Sequence, residues 1–378
     1  MTKQLILNAR VITPENILPD YCIEIQDKQI TALFPNTSLQ SLPNDTEIID
    51  AKDAYAAPGF IELHVHGFGG FGPELETEDA LLQMSEKLAE VGVTAFCPTL
   101  YCGQPADMLR ILQKTVGAFG KESGAHLIGY HLEGPFVSPH KPGVMKPQDI
   151  APINLNVLEQ LYQAAQGRIS LMTVAPELPG LPLVADFCKA HHITLQAGHT
   201  NATYEEFLNG MKYGITHATH AFNAMSPFNH RAPGAAGAVL LHPEISAEII
   251  ADGAHVHPDV VAFLRRVKPI ENIMLVTDGL RPTHQGKEPF IANGEEVFFD
   301  GVWKRKTDNV IAGSGLTMLR GVENLVRWGY SLPEAIRCAA TNPARLLGLS
   351  TKGTLAVGMD ADIVLFDNHF QAVKTLLG

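Results

Sequence analysis

The opening stretch of the chain, QLILNARVITPENILPDYCIEIQDKQITALFP, alternates apolar or β-branched residues with polar ones, and turn formers interrupt it at Pro14-Glu15-Asn16 and Asp27-Lys28. Successive side chains of a strand point to opposite faces, so this pattern predicts short antiparallel strands with one buried face. The closing stretch, GTLAVGMDADIVLFD, has the same character. Neither end could bury a core alone. They are therefore expected to meet in one small, discontinuous β-sandwich made of residues 1–56 and 346–378.

Between the two ends the pattern changes. Short apolar runs (FIELHVH, TAFCPTL, HLIGYHLEGP, RISLMTVAPE, ITLQAGHT, GITHATHAF, AEIIADG and NIMLVTDG) are separated by longer segments such as the amphipathic EDALLQMSEKLAEVG. Apolar strands that alternate with helix-sized segments indicate parallel βαβ units covered on both faces. About eight such units predict an α/β fold, a (β/α)8 TIM-like barrel, here over residues 57–345. Asn293-Gly294 and Asp300-Gly301 in PFIANGEEVFFDGVWKRKTDNVIAG are turn signals, and predict a β-hairpin inserted near 288–312.

Composition supports a globular chain. Of 378 residues, 46% are hydrophobic and 18% charged, enough for a large core and too little charge for disorder. The net charge of −12 argues against nucleic acid and anionic membrane as partners, because both demand positive potential. The segment MTKQLILNARVITPE lacks the pattern of a secretory leader, and no run of about 18 apolar residues occurs. Cys22, Cys97, Cys102, Cys188 and Cys338 form no CxxC pair and read as reduced, packed thiols, which points to the cytoplasm.

The candidate chemistry lies at the ends of the barrel runs. His64 and His66 are one residue apart at a strand end, so both rings project to the same side. Alone, such a pair has an ordinary explanation as hydrogen-bonded core histidines; its place in the series gives it weight. Glu133 sits in an apolar run, where an unpaired carboxylate would be costly to bury, and His199 and His220 close later runs. Glu133, His199 and His220 make a plausible protein triad for a divalent cation, with a position left for water. Asp278, after IMLVT, could bind the cation, cap the next helix or accept a proton, and general-base work fits best. Active sites of such barrels lie at the strand C-termini, so fold and chemistry agree.

The HxH pair, the later histidines and the Asp, with HLEGPF, AGHT, THAFNAMSP, ADGAHVHP, VTDG and AGSGLTM in that order, resemble the amidohydrolase superfamily. Within it, nearly the whole chain looks like the N-acetylglucosamine-6-phosphate deacetylases. The resemblance implies that Glu133, His199 and His220 hold the main ion, while Asp278 moves the proton of the attacking water to the departing amine. It implies further that His255 touches the sugar or the acetyl oxygen. Asn223, Ala224 and Arg231 would receive the sugar phosphate, Arg231 from the neighbouring subunit of a homodimer. A second ion bound by His64 and His66 and bridged by Glu133 would make two per subunit rather than one. Zinc suits these donors first; iron, manganese and cobalt are the other candidates.

The implied reaction is hydrolysis of N-acetylglucosamine 6-phosphate to acetate and the amino sugar phosphate. Rival readings are the galactosamine epimer, another amide or deaminase substrate, and a non-catalytic assembly protein that keeps its metal shell; an intact Asp278 argues against the last. Three departures bear on the sugar: Met145 stands where the family usually has His or Gln, LRPTHQG follows Asp278, and GFGGFGPE lacks an Asp often found there.

Overall fold

Phe60–Val65 is buried at every position, and no inside–outside alternation survives along it. The reason is visible in the computed structural model, which describes residues 3–42 and 45–378: this strand is one stave of a parallel barrel. In chain order the staves are β1 (Phe60–Val65), β2 (Val93–Leu100), β3 (Tyr130–Glu133), β4 (Ile169–Val174), β5 (Thr194–Ala197), β6 (His217–Ala218), β7 (Ser246–Ile250) and β8 (Ile273–Val276). Each pairs in parallel with the next. The chain beyond β8 closes the ring: Gly279 bridges Val65, and the Gly279 carbonyl accepts the N–H of His66 at 2.9 Å.

Helices cover the outside. Glu78–Ala89 starts at Thr77, whose hydroxyl accepts the N–H of Ala80, and turns Leu81, Met84 and Leu88 inward. That spacing is the apolar stripe of one helix face. These side chains join Phe60 and Phe96 in the main core, each worth about 1.5–3 kcal/mol on burial.

The two chain ends share one seven-stranded sheet. Lys3–Ile12 pairs with Ile17–Gln26, then changes its parallel partner from Glu47–Asp50 to Tyr55–Pro58, which in turn pairs with Ile363–Phe366. Period-2 alternation along this last strand divides its residues between two cores. Val364 and Phe366 pack into the barrel, and Ile363 and Leu365 pack with Ile6, Val11, Ile23 and Ile25.

The insertion differs from the single hairpin expected near 288–312. Phe290–Ala292, Glu295–Phe299, Trp303–Arg305 and Ile311–Gly313 form a four-stranded antiparallel meander. Asn293-Gly294 and Asp300-Gly301 each reverse the chain, and a further reversal follows Arg305. Trp303, Val297 and Ala292 pack with Leu280 in a separate apolar cluster that justifies the extra strands. Among the described residues, no helix is long and apolar enough to cross a membrane.

Candidate metal centre and active site

Glu133 is the last residue of β3, and His64 is in the last turn of β1 with His66 just beyond it. His199, His220 and Asp278 each lie two residues past their strands β5, β6 and β8. These three have left-handed backbones, with φ of +46°, +26° and +49°, and Ala224 has +47°. Such conformations cost a non-glycine residue roughly 1–3 kcal/mol and persist only where the surroundings enforce them. Here they turn successive side chains off the strand ends and toward the barrel axis.

The side chains converge. Glu133 Oε1 lies 3.0 Å from His199 Nε2 and 2.9 Å from His220 Nε2, and those two nitrogens are 3.2 Å apart. On the other side, His64 Nε2 and His66 Nε2 are 3.4 Å apart, and His66 Nε2 is 3.3 Å from both Glu133 Oε2 and Asp278 Oδ1. Two donor groups therefore share Glu133: His64, His66 and Glu133, and Glu133, His199 and His220, with atoms within 4.8 Å of one another. Two ring nitrogens this close cannot both aim an N–H at each other, whereas a cation between lone pairs satisfies both. The donor set fits a divalent ion.

The charges tell the same story. Burial works against a charge on His66, but hydrogen bonds to Asp278 and Glu133 raise it to about 9; His220, also buried, is raised to about 9 by Glu133. Burial of Glu133 opposes its ionisation too, and the surrounding histidines outweigh that, holding it well below the ordinary carboxylate range. The buried carboxylates Glu133 and Asp278 thus draw positive charge to this point, which a cation would supply in place of the ring protons.

Above the donors is a cavity of about 480 Å³. Its floor is His66, Glu133, His199, His220 and Asp278; Tyr101, Met145, Asn223, Ala224 and His255 line its sides, and Ile311 and Ala312 of the insertion reach its edge. His255 gives its Nδ1 to Asp252 at 2.7 Å, which leaves Nε2 for a substrate. The amide of Asn223 donates to the His220 and Ala221 carbonyls at 3.1 and 3.3 Å, so it braces the loop after β6. Arg231 is exposed and does not line the cavity. A larger groove of about 670 Å³ between outer helices, lined by Gln113, Glu159 and Gln160, lies away from these donors.

Residues 55–376 match the amidohydrolase family. The chain belongs to that family. It is 31% identical to N-acetylglucosamine-6-phosphate deacetylase of Bacillus subtilis (strain 168), covering 98% of this chain and 95% of that one. It is 29% identical to N-acetylgalactosamine-6-phosphate deacetylase of Escherichia coli O157:H7, covering 96% of each. The solved N-acetylglucosamine-6-phosphate deacetylase of Pasteurella multocida superposes with a TM-score of 0.91 at 28% identity, covering 99% of this chain and 98% of that one.

This amidohydrolase also has supporting residues that the sequence did not reveal. The Lys141 carbonyl lies 2.9 Å from His199 Nδ1 and the Thr99 carbonyl 3.3 Å from His66 Nδ1, so each ring turns Nε2 inward. Tyr101 stacks on His66 with ring centroids 3.8 Å apart and planes within 2°. His131 is wholly buried between Thr173 Oγ1 at 2.8 Å and Gln196 Nε2 at 2.9 Å. Glu248, in the apolar run AEIIADG, carried the only usable signal: a carboxylate in a strand with no exposed face.

Proposed function

We propose that this enzyme removes the N-acetyl group of N-acetylglucosamine 6-phosphate, releasing acetate and glucosamine 6-phosphate. The observation that carries the reading is the meeting of Glu133, His199 and His220 at the cavity floor, with Asp278 beside them. The names of the relatives supply the substrate. Glu133, His199 and His220 would hold a divalent ion there, which would polarise the acyl carbonyl and lower the pKa of water.

Asp278 then takes a proton from the attacking water and returns it to the departing nitrogen. His255, braced by Asp252 through Nδ1, contacts the sugar or the acetyl oxygen. Asn223, Ala224 and Arg231 receive the phosphate. Exposure of Arg231 on the single chain supports its acting across a homodimer interface, where its planar fork suits a phosphate. We assign residues 57–345 to the catalytic barrel and the terminal segments to the supporting sheet. Zinc is the resident ion in this reading, and His64 with His66 holds a second one. We place the enzyme in the cytoplasm, where its five free, buried cysteines stay reduced; its net charge of −12 suits neither nucleic acid nor membrane as partner.

The galactosamine epimer is the second reading, favoured by the Escherichia coli O157:H7 relative and by Met145 in the cavity wall. Acetate release is measured from both sugar phosphates and from unphosphorylated N-acetylglucosamine, before and after chelation. The proposal expects turnover of the glucosamine derivative, loss on chelation and recovery with zinc. Preference for the epimer would replace the substrate, and indifference to phosphate would remove the role of Arg231.

A further inference from the structure

Glu248 stands in the middle of β7 with its side chain wholly buried inside the barrel. A carboxylate there is costly unless its lone pairs find donors. Oε1 accepts from His217 Nε2 at 3.2 Å. Oε2 lies 3.3 Å from His64 Nδ1 and accepts the backbone N–H of His220 at 3.1 Å. The backbone carbonyl of Glu248 accepts the N–H of Ala221 at 2.8 Å. Glu248 does not line the cavity, so it acts only through other residues.

Two of these partners are cation donors, one from each group. An Nδ1–H given to Glu248 leaves His64 Nε2 with a free lone pair, and Nε2 is the atom facing His66, Asp278 and Glu133. The bonds to the His220 and Ala221 N–H groups pin the chain where His220 adopts its φ of +26°. The other buried glutamate nearby, Glu62, makes a useful contrast. Its Oε1 accepts the backbone N–H groups of His64 and Thr277, at 3.1 and 3.3 Å.

We propose that Glu248 is a positioning residue that couples the two cation positions: it sets His64 as an Nε2 donor for the second ion and holds the backbone of His220 for the first. The inference rests on the metal-dependent reading above. Because two donors converge on Oε2, an amide at this position keeps its carbonyl oxygen there and turns its NH2 toward His217. Glu248→Gln therefore preserves the orientation of His64, and Glu248→Leu abolishes it.

The test counts cobalt(II) ions by equilibrium dialysis and by their visible spectrum. Wild type is expected to bind two and Glu248→Gln also two; in Glu248→Leu the second ion is weakened about tenfold or more. In a His64→Asn background, Glu248→Leu should still weaken the remaining ion, through the backbone of His220. Long-range 15N–1H correlation on zinc-loaded wild type, with His64 assigned from the His64→Asn variant, should show the proton on Nδ1. Two ions held by Glu248→Leu at wild-type affinity, a single ion in wild type, or a His64 Nδ1 without its proton would each overturn the proposal. Should Glu248→Leu not fold, the wild-type correlation decides alone. Failure to release acetate with both ions bound would remove the substrate reading and leave this one standing.

Discussion

The backbone N–H of Asp278 donates to the carbonyl oxygen of His64 at 2.9 Å. His64 belongs to the first stave and Asp278 follows the last, so this bond is part of the seam that closes the barrel. The same seam brings Asp278 Oδ1 to 3.6 Å from His64 Nε2 and 3.3 Å from His66 Nε2. Closure of the ring also places the Asp278 carboxylate beside the candidate donors His64 and His66, and a barrel left open along this seam would lack it there.

Asp278→Asn keeps the size of the side chain and its place in the seam but cannot take up the proton. Turnover is expected to fall about 100- to 10,000-fold, the usual worth of a positioned base, with ion content close to wild type. Steady-state acetate release and metal analysis of the same preparation check both halves. Unchanged turnover would end the assignment of Asp278.

A divalent ion held by Glu133, His199 and His220 would bind only their folded arrangement, so it should stabilise that arrangement by mass action. At about 1,000 times the dissociation constant the gain is about 4 kcal/mol. Calorimetric melting with and without chelator measures it, and identical curves would mean that the donors do not hold an ion.

Gly198 precedes His199, and a Cβ on it would stand 2.7 Å from Thr173 Cγ2 and 2.7 Å from Thr219 Cβ. Both threonines are packed in the barrel interior, so the glycine must give way. Gly198→Ala should lower stability by about 1–3 kcal/mol and weaken cation binding by displacing His199. Gly286→Ala, with nothing within 4 Å of the added carbon, is the matched control. Denaturant unfolding and dialysis of both variants decide the point.

Lys268 is buried and gives its Nζ to the His242 and Ile245 carbonyls at 3.0 and 2.6 Å. Burial lowers its pKa from 10.5 to about 8. Between these values the unfolded chain binds more protons than the native one, so stability rises with pH through that window, and the cost of burying the charge is complete below it. Lys268→Met should remove this increment. Urea unfolding of both proteins at the two ends of the window tests it; equal pH dependence would refute the assignment.

Much of the site was legible because its residues end apolar runs. Glu133, His199, His220 and Asp278 stand where a strand stops, and a polar residue at such a point is conspicuous. Glu248 and His131 were not legible in this way. A stave buried on both faces shows no alternation, and the pattern cannot say which of its residues face the axis. The insertion was misread for a related reason: turn signals mark reversals, but the number of strands depends on what Trp303 and Leu280 pack against.

The amino-acid order alone determined the alternation of strand and helix, the pairing of the two ends and the residue types able to hold a cation, because each depends on local periodicity and chemistry. Only the tertiary structure decided that Glu133 serves both donor groups, that Tyr101 lies flat on His66 and that Glu248 reaches His64 across the barrel. Those relationships join staves far apart in the chain, and their distances follow from ring closure and left-handed strand ends that no local pattern encodes.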